Sequence, residues 1–261
     1  MSKSVITEAS GDRVFAIGDV HGCAMELEAL LSHLAKHEGL TSSDLVVFLG
    51  DYIDRGPDSK MVIDVLLEFH KTHANTRFLK GNHEDMMLDF LGFGGKLGHA
   101  FLYNGGLETV QSYGLSVFAP ANEMIEAIPD NHLEFMKGLE SILVVENFIF
   151  VHAGLNRLLE LTDQVDSEIF WIREEFINDT HDFGKTIVFG HTPHRDIMLH
   201  LPYKIGLDTG LVFGHKLSCL EVKSGYVLEV DRGSVKVKTT CLLYTSPSPR
   251  DRTRSRMPSS A

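Results

Sequence analysis

The chain of 261 residues is acidic, since 36 Asp and Glu against 24 Lys and Arg give a net charge of −12. Hydrophobic residues make up 43% of it, which is enough for a folded core and excludes an intrinsically disordered chain. The excess of acidic residues disfavours binding to nucleic acid or to an anionic membrane surface, and no apolar run approaches the ~20 residues that span a bilayer.

The first third of the chain alternates short apolar runs with amphipathic helices. Three apolar runs predict strands at Arg13–Gly18, Leu45–Leu49 and Thr76–Lys80. Between them, apolar residues recur at i, i+3, i+4 and i+7 in Leu27–Leu34 and again within Val62–Phe69, which predicts two helices. This alternation is typical of parallel strands joined by helical crossovers.

The middle of the chain, Leu91 to Met136, is predicted to be helical and interrupted by glycines. The later part is predicted to be richer in strands, with a hairpin at the turn formed by residues 223–225. The predicted strands are Ile142–Val145, Phe148–Val151, Thr186–Phe189, Lys204–Leu207, Leu217–Val222, Tyr226–Val230 and Val235–Lys238. No linker divides this region, so we expect one domain built on two sheets.

The composition changes at the C-terminus. Residues 241–261 contain four Arg, three Pro and no Lys, and residues 241–251 resemble the translation of a sequencing adapter. We therefore expect residues 1–240 to form the domain and residues 241–261 to be a non-native, disordered tail. The three Cys are too scattered for a disulfide framework, and the polar N-terminus has no signal-peptide pattern, so we expect a reduced, cytoplasmic protein.

Five apolar runs end in residues that can bind metal ions. They lead into the segments GDVHG (18–22), GDYIDRG (50–56), GNHE (81–84), HAG (152–154) and GHTP (190–193). Ligands of α/β sheets bind beyond the carboxyl ends of strands, so we expect these side chains to meet at one rim. Their donors are carboxylate, amide and imidazole groups without thiolate, which suits Mn, Fe, Zn or Co. One shared carboxylate could bridge two such ions.

These five segments, in this order, resemble the phosphoprotein phosphatase family of calcineurin-like metallophosphoesterases. The likeness covers about residues 13–223 and points to the bacterial and phage members, such as the phage lambda protein phosphatase. Further similarity lies in Trp171-Ile-Arg173, Asn104-Gly-Gly106 and Leu207-Asp-Thr-Gly210. The resemblance implies an α/β fold in which two mixed β-sheets pack as a sandwich flanked by helices.

The resemblance also implies a role for each of ten residues, together with two divalent metal ions, Mn being favoured. The implied metal ligands are Asp19 and His21 for the first ion, Asp51 as a bridge, and Asn82, His152 and His191 for the second. The implied catalytic residues are His83 as general acid, Asp54 as its orienting partner, and Arg55 and Arg173 as clamps on the phosphate oxygens.

The expected activity is metal-dependent hydrolysis of a phosphate monoester by a hydroxide that two metal ions activate. The expected substrate is a phosphorylated protein, through phosphoserine or phosphothreonine, or a small phosphate ester. One alternative is a hydrolase of dinucleoside polyphosphates, which characteristically replaces the acidic residue of the DRG element and has GNHD; Asp54 and Glu84 favour the monoesterase. Another is a non-catalytic scaffold for phosphoproteins, which would lack a ligand or the acid, and none is missing.

Overall fold

Two six-stranded sheets form the centre of the computed structural model, which describes residues 3–180 and 182–242. The strands are β1 (Ile6–Glu8), β2 (Val14–Ile17), β3 (Leu45–Phe48), β4 (Thr76–Phe78), β5 (Ile142–Val145), β6 (Phe148–Val151), β7 (Thr186–Phe189), β8 (Met198–His200), β9 (Lys204–Gly206), β10 (Lys216–Glu221), β11 (Tyr226–Asp231) and β12 (Val237–Cys241). One sheet has the order β1-β5-β6-β7-β9-β8 and the other β12-β11-β10-β2-β3-β4. Each sheet combines parallel and antiparallel pairs, which confirms the predicted fold class.

Eight helices of the described residues surround these sheets. They are α1 (Ala24–Lys36), α2 (Ser59–Thr72), α3 (Asn82–Phe90), α4 (Gly106–Ser112), α5 (Ala121–Ala127), α6 (Asp130–Lys137), α7 (Asp166–Ile169) and α8 (Glu174–Ile177). The apolar stripe that predicted α1 is its buried face, with Leu27, Leu30, Leu31 and Leu34 at most 4% exposed. In the described part of the chain, every helix is too short or too polar to cross a lipid bilayer.

Alternation along the strands divides the core into layers. In β2, Val14 and Ala16 face the other sheet, where they pack in one cluster with residues such as Phe150. Phe15 and Ile17 point the opposite way and pack with α1 and α2. Because side chains alternate between the two faces of a strand, each sheet contributes one face to the sandwich and one to the helices.

The observed strand ends lie within three residues of the predicted ones, but β1 and β8 were not predicted. Both are three-residue strands at sheet edges, so their sequences contain too little periodicity to indicate a strand. At the other end of the chain, β12 includes Cys241, and the Leu242 N–H donates to the Gly225 carbonyl at 2.8 Å. The first two residues of the predicted tail thus pair with β11 and its turn, whereas residues 243–261 lie outside the described residues.

Candidate metal centre

The carboxyl ends of strands from both sheets meet at one rim. In the first sequence motif, the backbone N–H of His21 donates to the Asp51 carbonyl at 2.9 Å, which links the loops after β2 and β3. From the other sheet, the His152 Nδ1–H donates to the Leu49 carbonyl at 2.7 Å. His191 follows β7, and its neighbour Gly190 donates to the His152 carbonyl at 2.7 Å. The predicted rim therefore exists, and it lies across both sheets.

Asp51 lies between two groups of donors. Its Oδ2 is 3.4 Å from the Nε2 of His21, and its Oδ1 is 3.4 Å from the Nε2 of His152. Two sets of donor atoms, each with all members within 4.8 Å of one another, share this carboxylate: one from His21, Asp51 and His83, the other from Asp51, His152 and His191. A carboxylate placed in this way can bridge two ions.

Asn82 completes the second group. Its Oδ1 lies 3.1 Å from the His152 Nε2 and 2.9 Å from the His191 Nδ1. Asn82 is the first residue of α3, and the preceding Gly81 lets this helix approach Asp51 closely. A Cβ on Gly81 would lie 2.1 Å from the Asp51 Oδ1, so any larger residue would displace the carboxylate.

Backbone carbonyls fix the histidine tautomers. The Nδ1 of His21 lies 2.8 Å from the Ile53 carbonyl, as the Nδ1 of His152 lies 2.7 Å from that of Leu49. Because a carbonyl only accepts, Nδ1 carries a proton in both rings, and Nε2 is the ring atom that faces Asp51. Metal-binding histidines are typically held by a second hydrogen bond of this kind.

Three buried carboxylates make the centre suitable for cations. Burial and the charges of Asp208 and Asp51 raise the pKa of Asp19 well above its usual value, and burial raises that of Asp208 to about 6. Burial also opposes ionisation of Asp51, but the neighbouring imidazoles outweigh it and hold its pKa low. Buried like charges are costly unless cations compensate them. Together with the Nε2 atoms that face Asp51, these carboxylates fit divalent metal ions.

Asp19 and Asp208 occupy the back of the centre. Both carboxylate oxygens of Asp19, a predicted ligand of the first ion, accept the His191 N–H at 3.2 and 3.0 Å. The sequence analysis assigned no role to Asp208, although the segment Leu207-Asp-Thr-Gly210 was part of the family likeness. Its position two residues after the end of β9 was a signal of the same type as the one that identified the other carboxylates.

Backbone strain is concentrated at this centre. Seven non-glycine residues of the described chain have positive φ, and five of these are predicted site residues: His21, Asp51, Asp54, Arg55 and His191. Such conformations cost on the order of 1–3 kcal/mol each and persist where the surrounding structure enforces them. The strain therefore indicates that the loops are held in place to aim these side chains.

Glu84 is one of the groups that hold these loops. Its Oε2 accepts the N–H groups of Asp51 and Gly81 at 3.0 and 2.9 Å, while its Oε1 accepts those of Tyr52 and Ile53 at 2.8 and 3.3 Å. Glu84 is fully buried, and burial raises its pKa to about 7. The sequence analysis used this residue only as a family marker, because a bond to backbone groups leaves no trace in the sequence.

The two predicted phosphate clamps reach the centre from different loops. An Nη1–H of Arg55 donates to the His21 Nε2 at 2.7 Å, and the Nε–H of Arg173 donates to the His191 Nε2 at 2.9 Å. Each guanidinium thus lies beside a predicted metal ligand. A planar fork of donors at this place matches the oxygens of a phosphate group.

His83 and Asp54 form a buried pair. The Nδ1 of His83 lies 2.6 Å from the Asp54 Oδ2, and no described group lies within hydrogen-bonding distance of its Nε2. The ring is 4.7 Å from that of His21, centroid to centroid. Burial lowers the pKa of His83 to about 4, although the charge of Asp51 opposes this shift. The His83 Nε2 thus lies close enough to the centre to bind metal and has no partner in the described chain, and the predicted role of His83 as the acid stays a prediction.

Comparison with known proteins places this site in a family. The family model described as calcineurin-like phosphoesterase matches residues 12–219. The chain belongs to the calcineurin-like phosphoesterase family. It is therefore a member of a family of phosphate-ester hydrolases, as the five motifs predicted.

The curated relatives differ in their named substrates. The bis(5'-nucleosyl)-tetraphosphatase PrpE [asymmetrical] of Oceanobacillus iheyensis is 30% identical over 228 residues, which cover 79% of this chain and 87% of the relative. The serine/threonine-protein phosphatase 1 of Salmonella typhimurium is 30% identical over 220 residues, or 80% and 92% of the two chains.

A solved structure described as a candidate diadenosine tetraphosphatase shares the fold. Its TM-score is 0.66 at 24% identity, and the match covers 88% of this chain and 98% of that chain. A cold-active protein tyrosine phosphatase has a TM-score of 0.57 at 18% identity, covering 90% and 80%. These two solved structures show the shared fold, whereas the names of the curated relatives favour the dinucleoside polyphosphate alternative over the protein phosphatase that Asp54 and Glu84 indicated.

Proposed function

We propose that this protein hydrolyses dinucleoside tetraphosphates at a centre of two divalent metal ions. The observation that carries the proposal is the 30% identity, across 79% of the chain, to a relative named for this activity. Several other relatives with the same name match 78–82% of the chain. The buried carboxylates and imidazoles of the centre support the dependence on metal.

The residues of the chain supply binding and orientation. His21, Asp51, Asn82, His152 and His191 would hold two divalent ions, which when bound supply an activated water as nucleophile and neutralise phosphate charge. Asp19 would complete the set, as the family resemblance implies. Backbone carbonyls fix two of these imidazole rings, so the two ligands need little rearrangement.

Arg55 and Arg173 would hold the phosphate chain from both sides of the centre. Their guanidinium groups already lie at the His21 and His191 rings, so a phosphate oxygen bound there would take over these donors. The negative charge of the phosphate would also favour the protonated form of His83, whose pKa burial otherwise lowers.

An exposed aromatic ring beside Arg55 suits a nucleoside. The Phe213 ring lies 5.5 Å from the guanidinium carbon of Arg55 and is 56% exposed. Bases stack on such rings, typically with a contribution of ~1–3 kcal/mol per base. We expect Phe213→Ala to raise the KM for a dinucleotide more than the KM for p-nitrophenyl phosphate. Phe118, which is 91% exposed, provides a matched control for removing a surface ring.

A direct comparison of substrates tests the proposal. Purified protein with Mn²⁺ is assayed with diadenosine tetraphosphate and with a phosphoserine peptide, and Asp51→Asn serves as the inactive control. We expect a higher kcat/KM for the dinucleotide, with ATP and AMP as products if the split is asymmetrical. A higher kcat/KM for the peptide would overturn the dinucleotide assignment, and no turnover of either substrate would overturn hydrolysis altogether.

Protein phosphatase activity is the second candidate. The buried pair of His83 and Asp54 favours it, because a serine or threonine alkoxide leaves poorly without a proton, whereas a nucleotide leaves readily. The 30% identity to the Salmonella typhimurium relative also supports it. The same comparison of substrates separates the two candidates.

A further inference from the structure

The segment Asn104-Gly105-Gly106 leads into α4 and contacts the turn that contains Asp54 and Arg55. The Gly105 carbonyl accepts the Arg55 N–H at 2.9 Å. Gly105 has φ of +101°, and a Cβ there would lie 2.6 Å from the Arg55 Cγ. Only glycine therefore allows α4 to approach the Asp54–Arg55 turn this closely.

One turn into α4, the hydroxyl of Thr109 contacts both the side chain and the backbone of Asp54. Its Oγ1 donates to the Asp54 Oδ1 at 2.6 Å and accepts the Asp54 N–H at 2.9 Å. The Oγ of Ser59 lies 2.9 Å from the same hydroxyl. Since Thr109 gives its single proton to Asp54, the proton between the two hydroxyls comes from Ser59. All three side chains are fully buried.

These bonds assign one oxygen of Asp54 to each partner. Oδ1 is taken by Thr109, and Oδ2 is left for the Nδ1–H of His83, 2.6 Å away. We propose that Thr109 is a positioning residue that fixes the Asp54 carboxylate and thereby aims the Nε2 of His83 at the leaving oxygen. As a water oxygen bonds to phosphorus and the P–O bond to the leaving group breaks, the proton on Nε2 passes to the leaving oxygen, and the Nδ1–H stays bonded to Asp54.

This inference rests on the proposed hydrolysis of a phosphate bond, and its kinetic test compares leaving groups. Thr109→Val keeps the shape of the side chain but removes the hydroxyl, whereas Thr109→Ser keeps the hydroxyl. Phenyl phosphate needs a proton on its leaving oxygen more than p-nitrophenyl phosphate does. We expect Thr109→Val to lower kcat for phenyl phosphate roughly 10-fold more than for p-nitrophenyl phosphate, as one lost bond to a charged group allows.

A second hydroxyl of α4 provides the control. Ser112 Oγ accepts the Lys60 N–H at 3.1 Å and donates to the Thr109 carbonyl at 2.7 Å, so its hydroxyl proton is directed away from Asp54. Ser112→Ala should therefore alter both substrates equally or not at all. Thr109→Ser should show the same ratio of kcat values for the two substrates as the wild type. A loss of packing in Thr109→Val would not explain a ratio that depends on the hydroxyl.

A magnetic resonance measurement tests the same geometry without turnover. The short bond between His83 and Asp54 predicts a downfield resonance of the His83 Nδ1 proton, identified by its absence in His83→Asn. We expect Thr109→Val to shift or broaden it, and Thr109→Ser and Ser112→Ala to leave it in place. An unchanged resonance in Thr109→Val, or equal kinetic losses for both substrates, would overturn the role of Thr109. Absent turnover with a shifted resonance would instead overturn the proposed function alone.

Discussion

Replacing His83 by Asn tests whether His83 acts as a proton donor or as a metal ligand. The His83 ring belongs to one of the donor groups, so its Nε2 could bind metal. Its backbone N–H, however, donates to the Asp51 Oδ1 at 3.1 Å, and this bond does not depend on the side chain. We therefore expect His83→Asn to keep the Asp51 carboxylate in place and to retain both ions.

The size of the effect follows from what the variant removes. Nε2 of His83 is buried and without a partner in the described chain, so it is the available donor on this side of the centre. Asn cannot carry a transferable proton there, and the whole contribution of general acid catalysis is lost. This contribution is typically ~10²–10⁴-fold, which we expect in kcat for a phosphoserine peptide. The loss should be much smaller for p-nitrophenyl phosphate and for diadenosine tetraphosphate, whose leaving groups need little protonation.

The assay combines steady-state kinetics on these three substrates with metal content measured by mass spectrometry. Asn82→Ala is the matched control, since Asn82 Oδ1 faces His152 and His191 and should bind metal. That variant should lose metal and slow all substrates alike. If His83→Asn behaves in the same way, with equal losses and missing metal, then His83 is a ligand and its assignment as the acid is wrong.

Three further predictions concern metal, pH and the C-terminal strand. Chelation should abolish hydrolysis and Mn²⁺ should restore it; full activity at a metal content near zero would contradict the two-metal centre. Burial raises the pKa of Asp85 to about 6, above its unfolded value, so its ionisation destabilises the fold as pH rises through this range. From pH 4 to pH 8, the free energy of unfolding of Asp85→Asn, measured in urea, should therefore rise by roughly 1–3 kcal/mol relative to that of the wild type; parallel pH profiles would refute this. A chain that ends at Leu242 should keep its melting temperature, whereas one that ends at Thr240 should unfold at lower temperature because it loses the bond to Gly225; equal melting temperatures would show that the last pair of residues contributes nothing.

The sequence alone indicated most of the strands and helices and the donor groups that meet at the rim. Short continuous apolar runs and helical patterns of period 3.6 are local signals, so β5, β6 and β7 have the bounds predicted for them. The motifs at strand ends indicated the rim, and side chains such as Asp51 and His152 do meet there. These features are readable because each depends on residues close together in the chain.

Tertiary structure decided what depends on distant residues. The edge strands β1 and β8 exist through pairing with β5 and β9, not through their own pattern. Glu84 and Thr109 act through hydrogen bonds to loops 31 to 55 positions away, and Asp208 acts by burial beside other carboxylates. Their roles could not be predicted, because a hydrogen bond between remote segments and the desolvation of a charge arise only when the chain is folded. The sequence likewise does not determine the substrate, since the same metal-binding donors serve the hydrolysis of phosphate esters and of phosphate anhydrides.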